Sequence, residues 1–446
     1  SGDGERLIVR HKDEVCVVPS DHKVDAEDPA HVAVDLTRLR RRITPRDEWR
    51  QMFDENGRLM ATHYWRDDMN GVDWEAVLRR YRPLVDRIHS VDDLYDILWE
   101  TVGELNTSHS YVSPAGLDGD PSLRAGLLGA DYGVPTDDGV PIVRVVPGES
   151  SDPLAWSPLR AAGVAVRDGD VIVAVDGNKL GHDLSLGEAL EGSAGHTVEL
   201  TVRTGDQARR VAVVPVADEA PLRYHDWVAS RRRYVEERSG GRLGYLHIPD
   251  MVSNGWAELH RQIVEATRHE GVVADVRFNH GGHTSQLVVE RLSRQVLGWD
   301  FGKWYDTPAT YPQNAVRGPI VMVTNQWAGS DGDIVSAVTQ AMGYATIVGE
   351  RSWGGVVGID GRFDLVDGTE VTQPRYAGWY GDYGWGVENH GVDPDITVTV
   401  RPEDWESDRD VQLDAAIDYC IAQLGERPAA IPPAMPRAAF GGPVEE

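Results

Sequence analysis

The chain has 446 residues, 41% of them apolar and 26% charged, with a formal charge of −28. These are the values of an ordinary soluble globular protein, long enough for several separately packed cores. So acidic a balance leaves no basic surface to neutralise nucleic-acid phosphates or an anionic membrane.

No apolar run approaches the roughly 18 residues of a membrane helix. The opening "SGDGERLIVRHKDEV" has neither the basic nor the apolar region of a secretory signal, and without a Met it reads as cut from something longer. Residues 1–39 alternate apolar and polar in "RLIVRH", "EVCVVP" and "HVAVDL", the period of short strands. Near Ile43 the period becomes helical. In "DWEAVLRRYRPLVDRI" the residues Trp74, Val77, Leu78, Tyr81, Leu84, Val85 and Ile88 share one face, with Pro83 expected to break or kink the helix. Ser90 caps a second helix in which Leu94, Ile97, Leu98, Val102 and Leu105 recur at helical spacing. It ends at "NTSHSYV", which sets Ser108 and His109 in a turn before a strand.

Residues 117–218 change character again. "VPIVRVV", "GDVIVAVDG" and "HTVELTVRTGDQARRVAVVPV" are short strands, closed at Thr204-Gly205-Asp206 by a hairpin turn, with one short helix near "LSLGEALEG". "AAGVAVRDGDVIVAVDGNKL" resembles a PDZ domain, a module that adds a peptide strand to its own sheet edge. Its carboxylate-binding loop is placed near Leu128-Gly129-Ala130, where the match is weak.

From about Leu222 strands and helices alternate: "RLGYLHIP" then "WAELHRQIVEATRH", "GVVADVRFN" then "SQLVVERLSRQV", "GPIVMVTN" then "GDIVSAVTQAM", and finally "ATIVGE". This succession predicts a mainly parallel sheet covered by helices, with ligands beyond the carboxyl ends of its strands. "FNHGGH" and "QWAGSDG" fall there. The tail "ERPAAIPPAMPRAAFGGPVEE" is biased enough in composition to read as disordered. The two cysteines, Cys16 and Cys420, follow no metal or redox spacing and read as unpaired thiols of a reducing cytosol.

Ser330 follows an apolar strand and opens a helix at Asp331-Gly332. Taken alone it is a helix N-cap. Given a base it is a nucleophile, because helix-end N–H groups would stabilise the oxyanion formed when it attacks a carbonyl. In "NHGGH" Gly282 can bring its N–H alongside that of Asp331 as such an oxyanion hole, the alternative being a plain tight turn. His280 and His283 invite a zinc site, but no third ligand accompanies them, so neither a metal nor a cofactor is expected.

A serine nucleophile needs a histidine, or a lysine kept neutral. The four lysines, Lys12, Lys23, Lys179 and Lys303, all precede Ser330, which removes a serine–lysine dyad with a downstream lysine. An α/β-hydrolase elbow does not fit either, since Ala328 stands where its first glycine belongs. A histidine from elsewhere in the chain remains.

"GELNTSHSYV", "VADVRFNHGGHTSQL", "TNQWAGSDGDI", "RSWGGVVGIDGR" and "WGVENHGVDPDI" together resemble the core of the tricorn protease family, self-compartmentalising cytosolic peptidases. The resemblance runs from about residue 40 to about 425 in the family's order. It implies a multidomain α+β and α/β architecture: a helical domain (40–116), a PDZ-like domain (117–218) and an α/β sandwich resembling the ClpP/crotonase-like serine peptidase core (219–425). Strands 1–39 and a flexible tail, 426–446, flank these. Carried over by position, Ser330 resembles the nucleophile, His109 its general base, and Ser108 and Glu388 the groups that orient the imidazole. Gly282 and Asp331 match the oxyanion donors. Asp300, in "LGWDFG", matches the acid that favours a basic side chain before the cut bond and would serve a neighbouring subunit's site in a homohexamer. The family's chains begin with two β-propellers that gate access, and strands 1–39 read as the continuation or closure of one. The implied activity is cytoplasmic hydrolysis of oligopeptides released by a larger protease such as the proteasome. The alternative is a non-catalytic peptide-binding scaffold built on the PDZ unit.

Overall fold

The computed structural model describes residues 1–434 apart from positions 13, 41, 117, 118 and 408. The expected boundary at 117, and positions 435–446 of the expected tail, lie outside the described residues. No described helix is long and apolar enough to cross a membrane.

Strands β1 (Arg6–His11), β2 (Glu14–Pro19) and β3 (Val32–Ala33) pair antiparallel into a small sheet. Three helices follow, α1 (Pro45–His63), α2 (Trp74–Val85) and α3 (Val91–Gly103), packed through Phe53, Met60, Trp74, Leu94, Leu98 and Val102. Ser90 and Asp93 cap α3 reciprocally, each side chain accepting from the other's backbone N–H. Pro83 neither breaks nor visibly ends the pattern, for α2 runs two residues past it; in the last turn its missing N–H and its clash with the preceding turn weigh least. Leu84 is exposed, so the buried stripe of α2 is narrower than the expected face, and Ile88 is buried beyond the helix end. This core also takes in Leu365 and Val371 from far along the chain, and β4 (Val112–Ser113) pairs with Glu370–Val371. The turn carrying Ser108 and His109 is thereby fastened to the C-terminal half.

The β-rich unit comprises β5 (Ala130–Tyr132), β6 (Val140–Val145), β7 (Val171–Val175), β8 (Asn178–Lys179), the one-turn helix α4 (Leu186–Ala189), β9 (Val198–Thr204) and β10 (Gln207–Val213). The sheet order is β10-β9-β7-β6-β5. Thr204 pairs with Gln207, so the turn is the two residues Gly205-Asp206, with Gly205 at φ +57°. A groove of about 730 Å³ lies beside β5 and α4, lined by Leu128, Tyr132, Leu184 and Leu190 among others. At the loop expected to take a peptide carboxylate, the Gly129 N–H already donates to Glu219 at 2.5 Å. Glu219 also pairs with Arg223, which reaches Asp131 and the Ala130 carbonyl, while Arg144 joins Asp131 to Asp226.

Helix α5 (Ala220–Ser239), which carries Arg223 and Asp226, is absent from the sequence reading because it has no continuous apolar stripe; its half-buried polar side chains face partners on two units. After it come β11 (Leu243–His247), α6 (Ser253–Ala266), β12 (Gly271–Asp275), α7 (Ser285–Leu292), the ribbon β13 (Gly298–Asp300) and β14 (Ala309–Tyr311), β15 (Ile320–Thr324), α8 (Asp331–Met342) and β16 (Thr346–Gly349). The last segment holds β17 (Gly358–Asp360), β18 (Glu370–Val371), β19 (Gln373–Tyr376), β20 (Ile396–Thr397), α9 (Pro402–Trp405) and α10 (Val411–Glu426). The main sheet is parallel throughout, in the order β11-β12-β15-β16-β20. Because each strand is added on the same side of the last and parallel crossovers are right-handed, α6, α7 and α8 fall on one face. They bury Leu246, Val272, Met322 and Ile347 there. On the other face α5 and α10 cover Tyr245, Val273, Val323 and Val348. Cys420 lies in that second core, where burial pushes its thiol up to about 12.

Replacing Glu219 by Ala leaves the Gly129 N–H without its acceptor and Arg223 without one partner. We expect a loss of about 1–3 kcal/mol in unfolding free energy, the usual cost of an unsatisfied buried donor, measurable by denaturant titration. An unchanged value would mean that this clamp carries no stability.

Candidate active site

The sheet delivers two loops to one edge. Val276–Thr284 leaves the carboxyl end of β12 and Asn325–Ser330 that of β15, and two buried asparagines bind them together. Asn279 donates from Nδ2 to the Ile248 carbonyl at 2.8 Å, accepts the Gly281 N–H at 2.9 Å, and offers its own carbonyl to the Gly329 N–H at 3.0 Å. Asn325 Oδ1 accepts the N–H groups of Phe278 and Trp327 at 3.0 and 3.2 Å.

Ser330 occupies the N-cap position of α8, but its side chain makes no capping bond; its backbone sits at φ 56°, ψ −119°. That conformation is strained for a residue with a Cβ, at a cost on the order of 1–3 kcal/mol, and the surrounding bonds sustain it. The hydroxyl is left at the wall of a cleft of about 430 Å³ that His109, Gly282, His283, Trp327 and Trp353 also line. Adjoining it is a cavity of about 760 Å³ that Ser330, His109 and Asp331 also line, with Ile334, Val338 and Tyr380 on its wall.

Gly281 and Gly282 are required where they stand. A Cβ on Gly281 would lie 2.4 Å from that of Ser330, and one on Gly282, at φ +148°, would lie 2.1 Å from the Met251 carbonyl. Met251 pairs with the N–H of His283 and the carbonyl of Gly281, so the Gly282 N–H points the other way. Among the described residues it has no acceptor, and neither has the Asp331 N–H at the first position of α8. The Asp331 carboxylate itself is turned away, accepting from the Ser285 N–H at 3.1 Å.

The imidazole of His109 is 7% exposed and reaches the same cleft from the helical unit. Its Nδ1 lies 2.8 Å from Ser108 Oγ, which donates to Glu388 Oε2 at 3.2 Å. Since the one hydroxyl proton of Ser108 goes to a carboxylate, Nδ1 must be the donor in the first bond, and Nε2 is left with a lone pair for the cleft. Glu388 is fixed in turn by the N–H groups of Ser108, Val356 and Val357 at 2.8, 2.7 and 2.9 Å. Trp353 and Tyr111 pack edge-on to the ring, with centroids 5.3 and 5.8 Å away. Burial lowers the His109 pKa, and the Glu388 charge works against that shift.

Thus Ser330, His109 and Gly282 line the cleft and, with Asp331, the adjoining cavity, and Ser108 and Glu388 stand behind the imidazole. Asp300 does not join them: it is exposed on the β13–β14 ribbon and is not among the residues lining either cavity. The arrangement can take a proton from a serine hydroxyl and hold an oxyanion.

Three family models match the chain: the Tricorn protease C1 domain over residues 45–103, the Tricorn protease PDZ domain over 126–218 and Peptidase family S41 over 242–398. Tricorn protease homolog 1 of Streptomyces coelicolor is 55% identical over 440 residues, 98% of this chain and 41% of that one. The chain belongs to the tricorn protease family. The tricorn protease of Thermoplasma acidophilum is 38% identical across 85% of this chain and 35% of its own. A crystal structure of the tricorn protease superposes with a TM-score of 0.88 at 34% identity, covering 95% of this chain and 41% of that one. The chain therefore spans about two fifths of the length of these tricorn relatives, and its fold is theirs.

The sequence reading of this tricorn family member passed over Asn279, Asn325, Trp353 and Asp333. For the asparagines and Asp333 the signal was a polar residue placed past an all-apolar strand, or in the first turn of a helix, where only burial reveals its use.

The shifts at His109 have a sign that can be tested. Desolvation disfavours the imidazolium, so the His109 midpoint in an NMR titration is expected below the ordinary 6.5. A carboxylate stabilises the cation, so Glu388→Gln should move the midpoint lower still; a rise would contradict the assigned contact.

Proposed function

We propose that this chain is a serine peptidase that hydrolyses oligopeptides through an acyl-enzyme. The observation that carries the reading is the Glu388–Ser108–His109 chain of hydrogen bonds ending at the cleft wall that also holds Ser330. Ser330 Oγ attacks the scissile carbonyl while His109 Nε2 takes its proton. The N–H groups of Gly282 and Asp331 receive the oxyanion, an interaction worth about 3–4 kcal/mol per donor in such sites. Collapse expels the amine, protonated by His109, and leaves the acyl group on Ser330. Water, deprotonated by the same imidazole, attacks the ester and restores the hydroxyl. Ser108 and Glu388 hold the ring in the productive tautomer and stabilise the imidazolium that forms. No step needs a metal or cofactor.

The substrates on this reading are peptides already released by a larger protease such as the proteasome, and the setting is the cytoplasm, a reducing compartment suited to the free thiols Cys16 and Cys420. We further propose a homohexamer in which Asp300 reaches a neighbouring subunit's cleft and favours a basic residue before the cut bond; its exposure on a ribbon away from its own Ser330 supports that role. The PDZ-scaffold alternative is weakened by the Gly129 N–H, which Glu219 already occupies.

Purified variants assayed on fluorogenic peptides with Arg or Phe before the label test both parts. Ser330→Ala should abolish cleavage of either; retained turnover would sink the peptidase reading. Asp300→Ala should depress cleavage after Arg much more than after Phe, and equal losses would refute the specificity assignment.

A further inference from the structure

Asp333 lies almost one helical turn past Ser330 on α8 and is 0% exposed. Its Oδ1 accepts the Gly354 N–H at 2.8 Å and its Oδ2 the Gly355 N–H at 3.1 Å. The next two N–H groups, those of Val356 and Val357, go to Glu388. Four successive backbone donors are thus divided between two carboxylates, one on the helix that begins at the nucleophile and one behind the imidazole. Immediately before this run, the Trp353 N–H donates to the Ala328 carbonyl in the nucleophile loop at 3.0 Å, and the Trp353 ring packs against His109.

The segment tolerates no side chain at its two glycines. A Cβ on Gly354, at φ +89°, would lie 2.5 Å from the Gly391 nitrogen, and one on Gly355 would lie 2.2 Å from the Trp353 ring. Fixing a carboxylate in this dry position is costly, since burial disfavours its charge, and pushes its pKa up to about 6 despite hydrogen bonds from Ser352, Gly354, Gly355 and Ser330. A first-turn acid suits the helix dipole, but this one is fully buried and accepts the Gly354 and Gly355 N–H groups, which an apolar residue would leave unpaired.

We infer that Asp333 is a positioning residue for the reaction: it locks Gly354–Val357 to the nucleophile helix, so that Glu388, Ser108 and His109 stand in register with Ser330. The inference rests on the peptidase reading above. It makes the segment the mechanical link between a nucleophile and a base drawn from different parts of the chain, a distance on which rate depends steeply.

The test is steady-state kinetics of Asp333→Asn on a fluorogenic peptide, with Glu388→Gln and the double variant completing a cycle. Asparagine keeps the volume but offers one acceptor to two N–H groups. Expected is a kcat lower by about 10²-fold, the scale of an ångström's misplacement, with KM held within about twofold. The loss should be far from additive with Glu388→Gln, because both act on the same segment. A kcat within about twofold of wild type, a change confined to KM, or additive losses would overturn the inference. Ser330→Ala separates the two readings: if it is inactive while Asp333→Asn is normal, only this inference fails, and if it is active the peptidase reading fails. Should circular dichroism show Asp333→Asn unfolded, Ser352→Ala takes its place, removing one donor to the carboxylate together with the acceptor of the Val392 N–H. A several-fold lower kcat at constant KM supports the inference, and an unchanged kcat overturns it.

Discussion

The contact between Ser108 and Glu388 joins residues 280 positions apart, and the rest of the site depends on it. His109 is carried by a helical unit that shares no strand with the main sheet, whereas Ser330 stands at the end of that sheet. Nothing local brings them together. The helical core is closed by Leu365 and Val371, and β4 is paired to β18, so that packing and backbone bonds set the approach to within a few ångströms. The carboxylate then fixes the final orientation, because a half-buried acid with three N–H donors and a hydroxyl has one arrangement that satisfies them all.

The monotonic sheet order explains why two loops are available at one edge. β12 and β15 are neighbours in the same direction, so the loops leaving their carboxyl ends lie side by side, and Asn279 and Asn325 convert proximity into a fixed geometry. The same right-handed crossovers place α7 and α8 together on one face. Asp331 and Gly282 therefore line one cavity with Ser330, the one at a helix start and the other in a strand-like pairing with Met251. The β-rich unit, by contrast, is joined to the main sheet through α5, whose Arg223 and Asp226 belong to a chain of ion pairs with Asp131 and Arg144.

Much of this was legible in the residues. Alternating apolar strands, the Ser90 cap and the βαβα succession follow from periodicity and capping chemistry, and all reappear as elements. Helices α5 and α10 were not, because α5 lacks a stripe and α10 lies after the last repeating unit. Pro83 misled, since a proline in a last turn costs little. Ser330 shows the limit best: sequence places a serine where helix caps belong, and only the structure discloses its positive φ and the absence of a side-chain capping bond. The partnership of Ser108, His109 and Glu388 came from family motifs rather than from spacing, as no period links positions so far apart. Asp333 was invisible for the opposite reason, an ordinary acid in a helix's first turn whose burial sequence does not disclose.

In the proposed mechanism a base from the helical unit activates a serine on the sheet. This activation is tested most directly by the rate at which a fluorophosphonate labels Ser330, located by peptide mass spectrometry, in the wild type and in His109→Ala. Expected are stoichiometric labelling of Ser330 in the wild type and a rate about 10²- to 10⁴-fold lower without the imidazole, the usual worth of a positioned general base. Equal rates in the two proteins, or labelling at another residue, would contradict it.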